Sequence, residues 1–420
     1  MKTDANEIDE GTSYIGYREA FDIVAARAKP VGSVELPVGL CAGRVAAADL
    51  IAKLSYPSVA VSLKDGYAVR SADVAHAGRQ SPVCLAVDGA AFAGVAYAGK
   101  VREGGSVKIC SGAPIPGGSD AVVSGEFCEE APGAVLVRAD AGAGRNILAA
   151  GSEVKAGAVI ARKGERISPG TLGLAAAAGI SNIPVHRPPR VAIVSIGDEV
   201  VAPGARLHIG QLYASNLVTM EAWLASFGIP CSTAVVADDE RSIVKELLMH
   251  LPGVDAVLTS GGAWGSERDL AVGTMERLGW RELFHYVRMG PGKGVAFGLW
   301  EDKPVFCLPG GPSSNAMAFL QLALPALLRM GGDDKHPLPT VPARLTENVN
   351  GRHPAWTEFK DAVVTLDGEG RYTAALYRSK SRMQAIAEAC GLICVPEGKE
   401  SLHKGEVVPV QLLKPLLDAC

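Results

Sequence analysis

Four short apolar runs, separated by amphipathic segments, occupy the middle of the chain. They are VAIVSIG from residue 191, CSTAVV from 231, DAVLTS from 255 and PVFCL from 304. The intervening segments, such as NLVTMEAWLASFGI and DERSIVKELLMHL, place apolar residues at helical spacing. Apolar strands that alternate with amphipathic helices predict a parallel sheet covered on both faces. Ligands of such sheets bind beyond the carboxyl ends of the strands, so the residues after each strand are the first site candidates.

The residues before this region follow other patterns. Helical spacing predicts a helix over Tyr14–Lys29, and a second short helix is expected around Gly39–Leu50. Residues 55–137 are predicted as short valine-rich strands separated by glycine and proline. The segment ISPGTLGLAAAAGI predicts a helix with Ser168 as N-cap and Gly179 at its end.

The composition fits several compact units. At about 150 residues per domain, a chain of this length suggests about three domains. The 49 Gly and 26 Pro residues exclude a coiled coil, and the 48% of hydrophobic residues exclude a disordered chain. The residues from His336 onward are again strand-like and predict a small β domain at the C terminus.

The charge balance points away from polyanionic partners. The chain has 41 basic and 45 acidic residues, a net charge of −4, so neither nucleic acid nor a membrane surface is expected as a partner. The most apolar stretch, residues 316–330, contains Gln321 and Pro325 and is predicted as a buried helix rather than a membrane span. The nine scattered cysteines fit free thiols in a reducing cytosol, which predicts a cytoplasmic protein.

Glycine turns follow three of the predicted strands. Gly197 follows the first strand, Gly261 and Gly262 follow the third, and the run Pro309–Ser313 follows the last one. Such turns leave backbone N–H groups free at the start of the next helix, where phosphate and other oxyanions bind. The alternative is that these are ordinary strand–helix turns, since no P-loop or dinucleotide fingerprint is present.

Acidic residues fall at the same predicted edge. They are Asp198, Glu199, Asp238, Asp239 and Asp269. Carboxylates beside a phosphate site are typical ligands of Mg²⁺. Helix N-capping is the alternative, and it suits Asp239 and Asp269.

The segment SLKDGYAV places Asp65 in an Asp-Gly pair between apolar residues. From the residues alone a hairpin turn is the favoured interpretation, because Asp-Gly pairs are common there. The segment KICSGAPIPGG, which contains Ser111, likewise suggests a turn of small residues.

Several segments, in order, resemble the molybdopterin molybdenumtransferase family, which includes MoeA and the gephyrin E-domain. They are PSVAVSLKDGYAV, ICSGAPIPGGSDAVV, GRNILAAGSEVKAG, RVAIVSIGDEV, GQLYASNL, VLTSGGAWGSERD, PGKGVAFG and FCLPGGPSSNAMAF. The matching segments span about residues 14–330. The C-terminal segment resembles the family more weakly.

The resemblance implies the last step of molybdenum cofactor biosynthesis. Members insert molybdate, or tungstate, into adenylylated molybdopterin and release AMP in a Mg²⁺-dependent reaction. It also implies a homodimer whose active site lies between the α/β domain of one subunit and the β-rich segment of the other. The molybdopterin adenylyltransferase and the recipient molybdoenzymes are further partner candidates.

The implied fold class is α/β and β multidomain. A MoaB/MogA-like doubly wound α/β domain (186–333) is expected to bind the pterin nucleotide. A β-rich domain (57–145) is inserted in a mixed linking and dimerisation domain (1–56 and 146–185). A C-terminal β-barrel-like domain (334–420) completes the chain.

The resemblance also assigns residues by their positions in the matching segments. The catalytic candidates are Asp65, Ser111 (where members usually have Thr), Glu199 and Asp269. The metal candidates are Glu199, Asp238, Asp239 and Asp269, and Glu153 matches another acid of the cleft. The ligand-binding candidates are Gly261, Gly262, Lys293, Pro309, Gly310, Gly311, Pro312, Ser313, Arg352 and Ser381.

Four departures from the family pattern bear on activity. Leu63-Lys64 replaces a small-Met pair, and Ala263-Trp264 lies in the segment that usually reads GGVSVG. Gly290 replaces a second lysine, and Gly311 replaces an Asn. These changes suggest a divergent paralogue, so a non-catalytic homodimeric pterin-binding or scaffold protein is the competing hypothesis. A third hypothesis is an adenylyltransferase. The long β segment disfavours it, because the resemblance to adenylyltransferases would be confined to the α/β region.

Overall fold

The computed structural model describes residues 13–261, 270–335, 337–378 and 381–414. The chain forms two compact units, one of residues 34–185 and one of the residues up to 33 together with those from 186 onward. In the described residues no helix is long and apolar enough to cross a membrane. Each of the eight cysteines in these ranges is free.

The smaller unit is mainly β-structure. The chain begins with β1 (Ile15–Gly16) and α1 (Tyr17–Arg27) of the larger unit and continues through β2 (Ser33–Pro37). The remaining elements of this segment are β3 (Leu50–Ile51), β4 (Val61–Ser62), β5 (Gly66–Val69), β6 (Val83–Ala91), β7 (Gly105–Ile109), β8 (Ala121–Ser124), β9 (Cys128–Ala131), β10 (Ala134–Val137), β11 (Ile147–Leu148), β12 (Val159–Ala161), α2 (Pro169–Ala177) and β13 (Asn182–His186).

Six of these strands form one sheet in the order β8-β5-β7-β6-β10-β9. Successive residues of β5 point to opposite faces, so Tyr67 and Val69 pack in one buried cluster and Ala68 in another. Both faces of the sheet are therefore covered, as the valine-rich segment predicts. This sheet fixes the position of Asp65, which directly precedes β5.

The predicted helix around Gly39–Leu50 is wrong. Only a short 3₁₀ turn forms, over Val38–Leu40. The chain that follows pairs with distant backbone instead, for example through the hydrogen bond from Ala46 N to Glu165 O at 2.9 Å. Tertiary pairing overrides the local helical spacing here. By contrast α2 is confirmed, because Ser168 Oγ accepts a hydrogen bond from Thr171 N.

The α/β part of the larger unit contains the predicted alternation. Its elements are β14 (Val191–Ile196), β15 (Val200–Val201), β16 (Leu212–Tyr213), α3 (Ser215–Ser226), β17 (Cys231–Val236), α4 (Glu240–His250), β18 (Ala256–Ser260), α5 (Leu270–Arg277), β19 (Arg281–His285), β20 (Val287–Gly290), β21 (Ala296–Trp300), β22 (Lys303–Leu308), α6 (Pro312–Ala318) and α7 (Leu324–Met330).

The main sheet has the order β17-β14-β18-β22-β21-β19. The first four strands are parallel, and buried side chains cover both faces. The expectation of an entirely parallel sheet is wrong at one side, because β21 and β19 are antiparallel additions. These two strands lie at one side of the sheet, and the parallel strands β14, β18 and β22 still end at a common edge.

The C-terminal segment forms a closed barrel, as expected. Its elements are β23 (Thr340–Leu345), β24 (Val349–Asn350), β25 (Thr357–Leu366), β26 (Tyr372–Leu376), α8 (Arg382–Glu388), β27 (Gly391–Val395), β28 (Ser401–Leu402) and β29 (Val407–Leu412). The ring runs β25-β26-β23-β29-β27 and closes from β27 back to β25. Strand β20 adds to β25, which joins the barrel to the chain that leads into β21.

A buried amide pair ties the long helical segment to the barrel. Between α6 and α7 lies a π-helical turn, Phe319–Ala323, in which Gln321 is fully buried. Gln321 Nε2 donates to Gln411 Oε1 at 2.8 Å, and Gln411 Nε2 donates back at 3.3 Å. The hydroxyl of Tyr17 donates to the same Gln321 oxygen at 3.4 Å. A buried amide requires such partners, so this contact fixes α1, the helical segment and β29 together.

Replacing Gln321 by Leu removes one partner of the half-buried Gln411 amide. We expect the free energy of unfolding to fall by about 1 kcal/mol, typical of the loss of an intramolecular hydrogen bond. Chemical denaturation measures it. The double variant Gln321→Leu/Gln411→Leu should cost less than the sum of the two single variants. If the cost of the double variant equalled the sum of the two single costs, the two amides would not be coupled.

Candidate functional site

The ends of β14, β18 and β22 bring the predicted glycine turns together. Gly261 has a φ of +98°, and a Cβ at this position would lie 2.4 Å from Ile196 O. Gly261 N donates to Leu308 O at 3.1 Å, and a Cβ on Gly310 would lie 3.6 Å from Gly261 Cα. Only glycine fits at 261, because any side chain would push the turn off the neighbouring strand.

A polar network that the sequence did not reveal fixes these turns. Asn216 Nδ2 donates to Ser260 Oγ at 3.2 Å and to Gly310 O at 2.8 Å. Asn315 Nδ2 donates to Ser260 Oγ at 3.1 Å and to Pro309 O at 3.0 Å. Asn315 and Ser260 are buried. The only signal in the sequence is an amide in the first turn of each of two helices, which is too common to single out.

Lys293 lies in the turn between β20 and β21, close to the start of α6. A Cβ on the preceding Gly292 would lie 3.3 Å from both Ser314 O and Ala318 N. The PGKG turn therefore packs directly against the helix that follows Pro309–Gly311. Pro312 and Ser313 form the first turn of that helix.

The predicted carboxylates that the structure describes, Glu199, Asp238 and Asp239, do not form a metal site by themselves. Asp239 caps α4, accepting from Ser242 N at 2.9 Å, and hydrogen bonds from Ser242 hold the pKa of Asp239 below its ordinary value. Asp198 Oδ1 accepts from Asp238 N at 3.0 Å. Glu199 is exposed and folds back over Gly197. Among the described residues, no three His, Cys, Asp or Glu side chains group closely enough to hold a metal.

Gly262, Trp264 and Asp269 lie outside the described residues. Asp239 is the N-cap of α4, in agreement with the N-capping interpretation. The assignments of Glu199, Asp238, Asp239 and Asp269 to a metal stay predictions.

The two C-terminal candidates lie in the barrel part. Arg352 is exposed, and its backbone N–H donates to the buried carboxylate of Glu358. Ser381 caps α8, with Ser381 Oγ accepting from Gln384 N at 3.2 Å. The Arg352 backbone and the Ser381 side chain have structural contacts, and the ligand-binding roles of both residues stay predictions.

Two departures from the family pattern lie in the described part of the larger unit. Gly290 pairs with Glu358, and a Cβ on Gly290 would lie 3.5 Å from Glu358 Cγ, an ordinary contact. Lys360 forms an ion pair with Glu358. A Cβ on Gly311 would meet nothing within 4 Å. Packing therefore does not require glycine at either position. The cation Lys360 lies near Gly290, the position at which the family has its second lysine.

In the smaller unit, Asp65 and Ser111 are brought together. Asp65 Oδ1 accepts from Ser111 N at 2.8 Å, and the carboxylate is exposed. The hairpin interpretation is wrong, because β4 pairs with β11 whereas β5 lies between β7 and β8. A Cβ on Gly66 would lie 2.0 Å from Val123 O, so glycine is required where the chain turns from Asp65 into β5. Glu153, also in this unit, is exposed.

The comparisons with known proteins agree over most of the chain. Three family profiles match: "MoeA N-terminal region (domain I and II)" at residues 15–179, "Probable molybdopterin binding domain" at 192–329 and "MoeA C-terminal region (domain IV)" at 342–413.

Individual relatives match over nearly their whole length. Molybdopterin molybdenumtransferase 2 of Mycobacterium tuberculosis is 30% identical over 398 residues, 92% of this chain and 97% of the relative. The molybdopterin molybdenumtransferase of Haemophilus influenzae is 32% identical over 387 residues, 90% of this chain and 93% of that protein. The crystal structure of a molybdopterin biosynthesis MoeA protein from Pyrococcus horikoshii has a TM-score of 0.81 and 31% identity. It covers 96% of this chain and 100% of its own.

Replacing Gly261 by Ala tests the packing of the strand-end turns. The added Cβ would collide with Ile196 O, and the positive φ disfavours an L side chain, so we expect destabilisation of about 1–3 kcal/mol. Gly253→Ala is the matched control, since a Cβ there meets nothing within 4 Å. Unfolding midpoints measure both, and equal midpoints for the two variants would refute this packing.

Proposed function

Because the chain belongs to the molybdopterin molybdenumtransferase family, we propose that it inserts molybdate or tungstate into adenylylated molybdopterin with release of AMP. This is the last step of molybdenum cofactor biosynthesis. The observation that supports it is the convergence of the Gly261 turn, the Pro309–Gly311 turn and the Lys293 turn in one unit. A substrate with a phosphoanhydride requires such a group of N–H donors and a cation.

The turns would hold the phosphates of the substrate. Backbone N–H groups of the Pro309–Gly311 turn after β22 are the described donors in this proposal, and fixed donors stabilise developing negative charge without reorganising. Asn216 and Asn315 hold the two turns in register through Ser260. Lys293, in the turn that packs against α6, would supply a positive charge suited to the phosphoanhydride that breaks when AMP leaves.

Asp65 would act on protons rather than on the oxyanion. An ionised carboxylate repels molybdate, so it is not a ligand of that anion. The Ser111 N–H fixes one carboxylate oxygen and leaves the other able to orient water or accept a proton. The proposed site combines this carboxylate with the phosphate-binding turns, in a homodimer as the resemblance implies.

Magnesium dependence is part of the proposal. Mg²⁺ usually binds through substrate phosphates and one or two carboxylates, so a preformed cluster of protein ligands is not required. Glu199, Asp238 and Asp239 are the described candidates, and Asp269 is the fourth. When bound, the ion would polarise the phosphoanhydride.

The division into four domains, the homodimer and the cytoplasmic location are proposed on the same grounds. The matched relatives carry the name of the transferase and give no support to a non-catalytic scaffold.

AMP release from adenylylated molybdopterin, with Mg²⁺ and either oxyanion, tests the proposal. The wild-type chain should release AMP only when molybdate or tungstate is present. Asp65→Ala should lower the rate by about 10²-fold or more, typical of a lost proton-transfer group. Asp140→Ala, an exposed acid in the same unit, is the control. Absence of oxyanion-dependent release by the wild type would refute the proposed activity.

Lys293→Ala tests the phosphate-binding turns separately. We expect the free energy of substrate binding to weaken by about 1.5–3 kcal/mol, the value of a hydrogen bond to a charged group. Calorimetry with AMP and with adenylylated molybdopterin measures it. Lys245→Ala, on the exposed face of α4, should leave affinity unchanged. Unchanged affinity in Lys293→Ala would remove this lysine from the site.

A further inference from the structure

A cavity of about 180 Å³ lies within the larger unit, beside the turns already described. Helices α3, α6 and α8, strand β25 and the chain after β29 contribute to its wall. Pro291 and Ser313 also line it. Each is adjacent in sequence to a turn assigned above to phosphate, so the cavity adjoins the phosphate-binding edge.

Most of the wall is apolar. The apolar side chains are Trp223, Met317, Leu320, Ile386, Leu392 and Leu413. Trp223 is half-buried, and Phe227 stacks behind it at a centroid distance of 6.3 Å, which fixes the plane of the indole. An apolar cavity of roughly 150 Å³ takes a benzene ring. This one therefore suits a flat fused ring system rather than a whole nucleotide.

Two charged side chains complete the wall. Asp361 is half-buried, and in the described part of the chain no donor or cation is bonded to its carboxylate. Burial raises the pKa of Asp361. Lys414 Nζ donates to Ala387 O at 2.7 Å and to Glu388 O at 3.3 Å. An ammonium has three N–H groups, so one remains for a ligand.

We propose that this cavity binds the pterin ring of the substrate, with Asp361 accepting from the 2-amino and N3–H groups and Lys414 donating to the 4-oxo group. The proposal rests on the proposed function, since it assigns one part of that substrate to one part of the chain. The edge of a 2-amino-4-oxo pyrimidine presents two donors and one acceptor in a row. A carboxylate and an ammonium in the wall of the same cavity complement this edge, because the carboxylate accepts from the two donors and the ammonium donates to the acceptor.

Other parts of the substrate do not fit this chemistry. The oxyanion is excluded, because Asp361 would repel it and the wall is largely apolar. Adenine presents an acceptor at N1 next to its amino donor, so it would place a lone pair against the carboxylate. The ring would bind in the cavity, and its phosphate would extend past Pro291 and Ser313 toward Lys293.

Calorimetric titration with two small probes tests the assignment. The first probe is 6-hydroxymethylpterin, and the second is its 2-oxo analogue, 6-hydroxymethyllumazine, which lacks the amino donor. The wild type should bind the pterin at least about tenfold more tightly than the lumazine, and Asp361→Asn should abolish that preference. Lys414→Met should weaken both probes alike, because both retain the 4-oxo group. Glu369→Gln, an exposed acid in the barrel, is the control.

Equal affinity of the wild type for the two probes, or a preference that survives in Asp361→Asn, would overturn the assignment. Unfolding midpoints check that the variants are folded, and Lys414→Met gives an independent test if Asp361→Asn is not. The oxyanion-dependent release of AMP is measured separately. Release without a pterin preference refutes only the cavity assignment, and a preference without release refutes only the proposed activity.

Discussion

The absence of a side chain at Gly261 is the constraint on which the strand-end site depends. The residue packs against Ile196 O and beside Gly310, and its N–H bonds to Leu308 O. These contacts place Gly261 and the turn after β22 against the end of β14, and the backbone N–H groups of that second turn are the proposed donors. Asn216 and Asn315 fix the spacing through Ser260, so the donors are held before any ligand arrives.

The smaller unit repeats this arrangement at a different strand. Gly66 has no room for a Cβ beside Val123 O, and the chain before it therefore holds Asp65 against the Ser111 N–H. In each case close backbone packing presents a polar group at the start or the end of a central strand. The two places differ in chemistry, since one offers donors for phosphate and the other a carboxylate.

The parts that sequence patterns predict are those governed by local periodicity. Strands β14, β17, β18 and β22 are continuous apolar runs, and α2 has both its Ser168 cap and its glycine end. The antiparallel strands β19 and β21 were missed because Arg281, Glu282 and several glycines interrupt their pattern. The chain after Cys41 was misassigned because its backbone partners, near residues 165 and 185, are distant in sequence. Likewise the Asn216–Ser260–Asn315 network and the position of Asp361 and Lys414 in the wall of one cavity depend on the folding together of remote residues.

A crystal structure with adenylylated molybdopterin bound tests the central claim most directly. The account predicts that the phosphates lie within hydrogen-bonding distance of the backbone N–H groups of Gly310 and Gly311, with Lys293 beside them. Phosphates bound away from these turns, with the N–H groups facing only solvent, would contradict it.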